Sequence, residues 1–284
     1  MVQRIRVLTD SVADVPRDLL QRYQIRVLPV YLMLDGQTYL DDGGLEPDWF
    51  YQELARVQVP PTTAAPSPKE YVGAYEALAA EGAEEIIVLC AASTVSSLYD
   101  HAVLASQEFD GARVHVVDTL QVTMGMGWMV VEAAHLVAAG RPIAEVLSSL
   151  HAMRARTRVY GVLDSVDYLR RSGRVGWAAS SVADLLQIRP VIAFEQGEAK
   201  LQGRVRLSRR GVRALVKLVG AVQPVSHVAI LHSGVDDQLL DEFQTAIGAL
   251  VPDLETPIIS VGGIFATHVG PRCLGVALVR TASI

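Results

Sequence analysis

The sequence predicts an α/β fold in two parts: an N-terminal α/β/α domain over residues 1–157, built on a mainly parallel sheet, and a C-terminal α+β domain over residues 158–284. Three observations lead there. Apolar strand-like runs alternate with helix-periodic segments through the first half, at intervals that suit right-handed crossovers. Three strand ends carry hydroxyls or carboxylates, Thr9-Asp10-Ser11, Ser93-Thr94 and Asp118-Thr119, where ligands of open parallel sheets collect. After about Arg154 the texture changes to strands joined by a short polar turn.

Taken in order, Arg4 to Leu8 alternates as a strand, and Asp14-Val15-Pro16 reads as a helix start with Asp14 as cap. Ile25 to Leu34 is rich enough in Val, Leu and Tyr for one buried strand. Glu46-Pro47-Asp48 opens a helix. Val59 to Pro68 holds several prolines and reads as an extended loop. Lys69 to Ala80 is helical, Glu85 to Cys90 a buried strand, Ser96 to Phe109 a helix and Arg113 to Val117 a strand. Met124 to Ala139 and Ile143 to Met153 are helices parted by Gly140-Arg141-Pro142. In the second half, Asp167 to Val175 is a short helix closing on glycine. Ile188 to Phe194 and Lys200 to Leu207 form a hairpin across Glu195–Glu198. Helix, strand and helix then follow at Arg209–Val219, Val228–Leu231 and Leu239–Ala249.

Half of the residues are apolar and a fifth charged, as in ordinary globular proteins. The 25 basic residues face 31 acidic ones, a formal charge of −6, which argues against nucleic acid as the main partner. The N-terminus lacks the apolar core of a signal peptide, and the apolar stretch Thr119 to Val131 is too short to span a bilayer. A cytoplasmic protein without stable membrane insertion is expected. Cys90 and Cys273 sit among apolar or small residues and read as packing rather than disulfide or metal ligands.

No His/Asp/Glu set has metal-ligand spacing, and neither a G-x-S-x-G elbow nor a phosphate-binding glycine loop is present. What remains is a set of groups suited to an anion. In Ser260–Gly275, Thr267-His268 stand between Gly262-Gly263 and Gly270-Pro271, which reads as a turn holding a hydroxyl and an imidazole at the rim of a strand. The bland alternative is a tight turn whose histidine satisfies a buried carbonyl. Thr62 and Thr63 lie in the proline-rich segment, and Ser93 follows a strand and precedes a helix, where backbone N–H groups bind anions. Taken singly, Thr63 and Ser93 read first as caps of a turn and a helix. Arg170, Arg171 and Arg174 form a helix-closing cluster, normally a solvated face, and Arg206 is placed on a strand.

The chain resembles the DegV family of bacterial fatty-acid-binding proteins that partner a fatty acid kinase. The motifs are VLTDSVAD (Val7–Asp14), VLPVYLMLDGQTYLDD (Val27–Asp42), TAAPSP (Thr63–Pro68), ASTVSSLYDHA (Ala92–Ala102), DYLRRSGRV (Asp167–Val175), LLQIRPVIAFEQG (Leu185–Gly197), GRVRLSRR (Gly203–Arg210) and GIFATHVGPRCLGVA (Gly263–Ala277), in the family's order from end to end. The resemblance implies two domains with a fatty acid in an apolar tunnel between them. It implies a carboxylate held by Thr63, Ser93 and His268, with Thr62, Asp10, Ser11, Ser96 and Thr267 in support. Arg206, with Arg170 and Arg174, would serve the partner or the phosphate during kinase-dependent acyl-phosphate formation. It implies no cofactor and no catalytic residue in this chain.

The chain departs from the family pattern at Ala64-Ala65 (usually Ser-Gln), at Ala92 (usually Ser), at Ser97-Leu98 (usually Gly-Thr) and at Arg272 (usually Gly). Should the serine lost at Ala92 be a carboxylate ligand, head-group binding is either weakened or rerouted to Ser96 or a backbone N–H. Burying a sixteen-carbon chain contributes roughly 10 kcal/mol before ordering costs, and Met124, Met126 and Met129 are candidates to line the tunnel. Two other readings stand beside this one. The first is a free-standing phosphotransferase or hydrolase using His268 with Asp10 on a small anionic substrate. The second is an adaptor docking an acidic partner on its arginines.

Overall fold

The computed structural model describes residues 4–176, 188–206 and 208–282. Its first sheet has four parallel strands in the order β2-β1-β6-β7, with β1 Ile5–Asp10, β2 Arg26–Leu28, β6 Glu85–Cys90 and β7 Arg113–Asp118. Strand β6 is buried nearly throughout, as a central parallel strand covered on both faces must be. The first half carries α1 (Arg17–Arg22), α2 (Pro47–Arg56), α3 (Pro68–Ala80), α4 (Leu98–Glu108), α5 (Thr123–Ala138) and α6 (Ile143–Arg156). Helix α3 starts where Ser67 and Glu70 make a reciprocal capping box and Pro68 occupies the first turn.

A six-stranded mixed sheet holds the second half, in the order β10-β9-β8-β13-β11-β12. Its strands are β8 Thr157–Val162, β9 Arg189–Glu195, β10 Glu198–Val205, β11 Val225–His232, β12 Ile258–Ser260 and β13 Leu274–Arg280. With it go α7 (Asp167–Ser172), α8 (Ser208–Ala221), α9 (Asp237–Leu250) and α10 (Gly263–Val269). The chain is thus a parallel α/β layer followed by a mixed α+β layer. One hydrophobic cluster joins the two, since Leu8, Met126 and Leu89 share it with Val159, Phe194 and Ala277.

Three local expectations need correction, and a fourth falls outside the described residues. Ile25 to Leu34 is not one strand: after β2 the chain breaks at Pro29-Val30, and β3 (Tyr31–Leu34) joins a separate three-stranded antiparallel sheet with β4 (Gln37–Leu40) and β5 (Thr62–Ala64), in the order β4-β3-β5. The proline-rich segment is not all loop, because β5 (Thr62–Ala64) pairs with β3 on the edge of that small sheet, where prolines are tolerated. Asp14 does not cap α1. Its backbone is left-handed and its carboxylate accepts hydrogen bonds from Thr123 Oγ1 at 2.5 Å and from Gly262 N–H at 2.8 Å. Asp14 therefore ties the starts of α5 and α10 to the end of β1. Finally, Leu207, placed at the end of a strand from the sequence, lies outside the described residues.

Methionines 124, 126 and 129 are wholly buried in the shared core, and none of them lines the cavity described below. Glycines make that packing close. A Cβ at Gly125 would lie 2.6 Å from Val159, and one at Gly127 would lie 2.5 Å from the Ala13 carbonyl oxygen. Helix α5 is therefore seated directly against β8 and the turn after β1, leaving its methionines no free face.

Candidate functional site

The small sheet and α10 build the site. On β5, Thr63 is paired opposite Leu32 of β3, so both side chains project from one face while exposed Thr62 projects from the other. Helix α10 lies close to that face because Gly263 has no side chain: a Cβ there would sit 2.9 Å from Leu45 and 3.3 Å from Leu32. α10 is a full helical turn and more, so His268 stands in its last turn rather than in a turn at a strand rim. Gly270 ends the helix with φ +83°, closed to most side chains, and its N–H donates to the Ala266 carbonyl at 2.8 Å. The result brings His268 Nε2 to 3.2 Å from Thr63 Oγ1.

These two groups face a cavity of about 440 Å³, within the range of small-molecule sites. Its lining is mostly apolar and comes from both sides of residue 157, including Val95, Leu98, Leu163, Phe194, Leu231 and Ile264. Ser96 and Ser97, at the start of α4, and Arg174, beyond the end of α7, are among the polar contributors. His101 also lines it, with Nδ1 2.7 Å from the Pro66 carbonyl oxygen. In the sequence the only signal for His101 is its spacing of four from Ser97 along one helix.

His268 is the site's distinctive group. Burial first, and the Arg174 cation second, push its pKa down to about 4, so the ring is neutral at pH 7. Its Nδ1 is enclosed and has no hydrogen-bond partner among the described residues. A neutral imidazole and a hydroxyl carry two polar hydrogens, and one is spent between Nε2 and Oγ1. The other remains to be donated, from Nδ1 or from the threonine hydroxyl according to the tautomer. A buried donor left without an acceptor costs about 1–3 kcal/mol.

Other residues singled out from the sequence are placed elsewhere. Ser93 Oγ donates to Asp118 Oδ2 at 2.6 Å and its N–H to Oδ1 at 3.3 Å, closing the ends of β6 and β7; Ser93 does not line the cavity. Thr267 Oγ1 donates to the Gly263 carbonyl at 2.8 Å within α10 and is spent there. Ser96 Oγ accepts from Leu98 N–H at 3.3 Å. Arg170 pairs with Asp167 at 3.2 Å on the surface, and Arg206 is exposed just past β10.

Asp10 and Ser11 belong to a different, acidic cavity with Asp14 and Asp41. Both Asp10 oxygens accept backbone N–H bonds, from Val12 at 3.1 Å and Ala91 at 3.0 Å. Burial raises the Asp10 and Asp14 pKa values to about 7 and that of Asp41 to about 6. Asp10 and His268 thus line separate cavities, each bonded to other partners, and do not form an acid–base pair. Among the described residues no cluster of three His, Cys, Asp or Glu is placed to hold a metal ion, and no helix is long and apolar enough to cross a membrane.

A family model described as "Uncharacterised protein, DegV family" matches residues 4–281. A DegV domain-containing protein of Caldanaerobacter subterraneus is 30% identical over 278 residues, covering 97% of this chain and 98% of the relative. Among solved structures, a Thermus thermophilus DegV family protein described for its fatty acid binding is 30% identical. It superposes with a TM-score of 0.88, covering 98% of this chain and 100% of its own. A Thermotoga maritima protein described as revealing a fatty acid binding function is 27% identical, with a TM-score of 0.83 and coverage of 98% and 100%. The chain belongs to the DegV family.

Proposed function

We propose that this protein binds a long-chain fatty acid, with its alkyl tail in the apolar cavity and its carboxylate at Thr63 and His268, and presents that carboxylate to a partner fatty acid kinase for acyl-phosphate formation. The observation that carries the reading is a neutral, part-buried His268–Thr63 pair with one unspent donor, set in an otherwise greasy hollow. An apolar cavity rewards each buried methylene by about 0.8 kcal/mol, and a lone polar pair at one place in it selects an end group. The two relatives described as fatty acid binding, at 30% and 27% identity across the whole chain, support the same ligand class.

In this reading residues 1–157 and 158–284 act as two domains enclosing the ligand, and the head group is completed by Ser96 or Ser97 in place of Ser93. The exposed cations Arg174 and Arg206 meet the kinase or the transferred phosphoryl group, Arg174 being the one that also lines the cavity. The partner supplies ATP, and this chain works in the cytoplasm without a cofactor of its own, feeding acyl groups into phospholipid metabolism. The test is denaturing extraction and mass spectrometry of the purified protein, followed by titration with palmitate and oleate. A stoichiometric fatty acid, or saturable binding of the added one, is expected; protein free of lipid that binds neither would overturn the proposal.

A further inference from the structure

The register of the six-stranded sheet reveals a gap in the cavity wall. Gly161 of β8 and Gly275 of β13 lie directly opposite each other, Ile192 of β9 is opposite Gly161, and Leu231 of β11 is opposite Gly275. Directly opposed residues of antiparallel strands project from the same face. Ile192, Gly161, Gly275 and Leu231 therefore form one row across four strands, and all four line the cavity. The two central members have no side chain, so the row is missing two side chains at its middle.

The two glycines differ in what requires them. A Cβ at Gly275 would lie 2.7 Å from the Tyr160 carbonyl oxygen, so the backbone itself forbids a side chain there. A Cβ at Gly161 would meet Cys273 Sγ, Leu163 Cδ2 and the Leu274 carbonyl oxygen, each at 3.9 Å, which is ordinary contact. Nor does Gly161 have positive φ. A glycine inside a strand weakens it, and here neither backbone conformation nor crowding demands one. What the missing side chain provides is room, and the nearest side chains around that room, Cys273 and Leu163, are buried and apolar.

We infer that Gly161 sets how long an alkyl chain the cavity accepts, an inference that rests on the fatty-acid reading above. A side chain at this position occupies the gap and displaces part of the tail, whereas the Thr63–His268 pair is left as it is. Each methylene kept out of the cavity weakens binding about fourfold, so Gly161→Ala should lower the affinity for a sixteen-carbon acid relative to a twelve-carbon acid about fourfold. Gly161→Val, which fills about three carbon positions, should lower that ratio roughly 50-fold by the same reasoning.

The experiment measures dissociation constants of laurate and palmitate by displacement of a fluorescent fatty acid, for the unaltered protein and both variants, with melting temperatures alongside. A C16-to-C12 preference that falls stepwise from Gly to Ala to Val supports the inference. Where Gly161→Val does not fold, Gly161→Ala, whose methyl meets only ordinary contacts, carries the test alone. Unchanged preference in folded variants, with the unaltered protein binding both acids, overturns this inference and leaves the fatty-acid reading standing. Failure of the unaltered protein to bind any fatty acid overturns both.

Discussion

Removing the two polar partners singly and together tests how the head group is held. Thr63→Val keeps the shape of a β-branched residue on β5 and deletes the hydroxyl, while His268→Phe keeps a ring on α10 and deletes both nitrogens. In the unaltered protein the pair holds two polar hydrogens, spends one at the 3.2 Å contact and has one to donate. Either single variant also has one to donate, from the imidazole or from the freed hydroxyl. Each single change should therefore cost only about 1 kcal/mol of binding, the value of orienting and polarising the remaining donor. The double variant has none, and should lose about 3 kcal/mol, the upper end of the roughly 1.5–3 kcal/mol that a hydrogen bond to a buried charged group is worth. The coupling is thus expected to be more than additive. Isothermal titration with palmitate and with hexadecanol reads it, since the alcohol presents the same tail without the charge. Equal losses for acid and alcohol, or strictly additive losses for the acid, would refute the shared-donor reasoning.

Three further outcomes are expected. His268→Phe should weaken ligand binding yet gain melting temperature relative to the unaltered protein at low pH, because it removes a buried ring that must charge there. The gain should widen on acidification. With its native pKa near 4 against an ordinary 6.5, His268 contributes stability that is present above pH 6.5 and lost as pH falls toward 4, by at most roughly 3 kcal/mol. Asp14 acts with the opposite sign. Its pKa is raised from 3.8 to about 7, so the stability linked to its proton is present below 3.8 and lost as pH rises through 7. Asp14→Asn, a mimic of the protonated acid, should therefore gain in relative melting temperature between pH 5 and pH 8. Gly270→Ala should cost about 1–3 kcal/mol in chemical denaturation, because φ is +83° and the new Cβ would lie 2.4 Å from the Tyr168 ring.

What could be read from the sequence was the part governed by local pattern. Glu85–Cys90 carries an unbroken apolar run from Ile86 and forms β6 with the same ends; Ser67-Pro68 followed by Glu70 marks the start of α3, and Gly173 ends α7. Thr63 and His268 were both picked out, and their meeting across 205 residues depends on β3–β5 pairing and on the bare face of Gly263, neither of which has a local signature. α10 escaped notice because seven residues between a Gly-Gly and a Gly-Pro pair give too little periodicity to tell a helix from a turn. Ser93 illustrates the reverse: its place after a strand suggests an anion site, but Asp118 at the neighbouring strand end is the nearer acceptor and takes the hydroxyl. The methionines of α5 look like adaptable lining, yet Gly125 and Gly127 press that helix into the core.

The most direct measurement is a crystal structure of the protein grown with palmitate. The account predicts a carboxylate within hydrogen-bond distance of Thr63 Oγ1 or His268 Nδ1, and an extended tail passing Gly161. A carboxylate bound instead at Ser93, or a cavity filled by side chains with the acid on the surface, would contradict it.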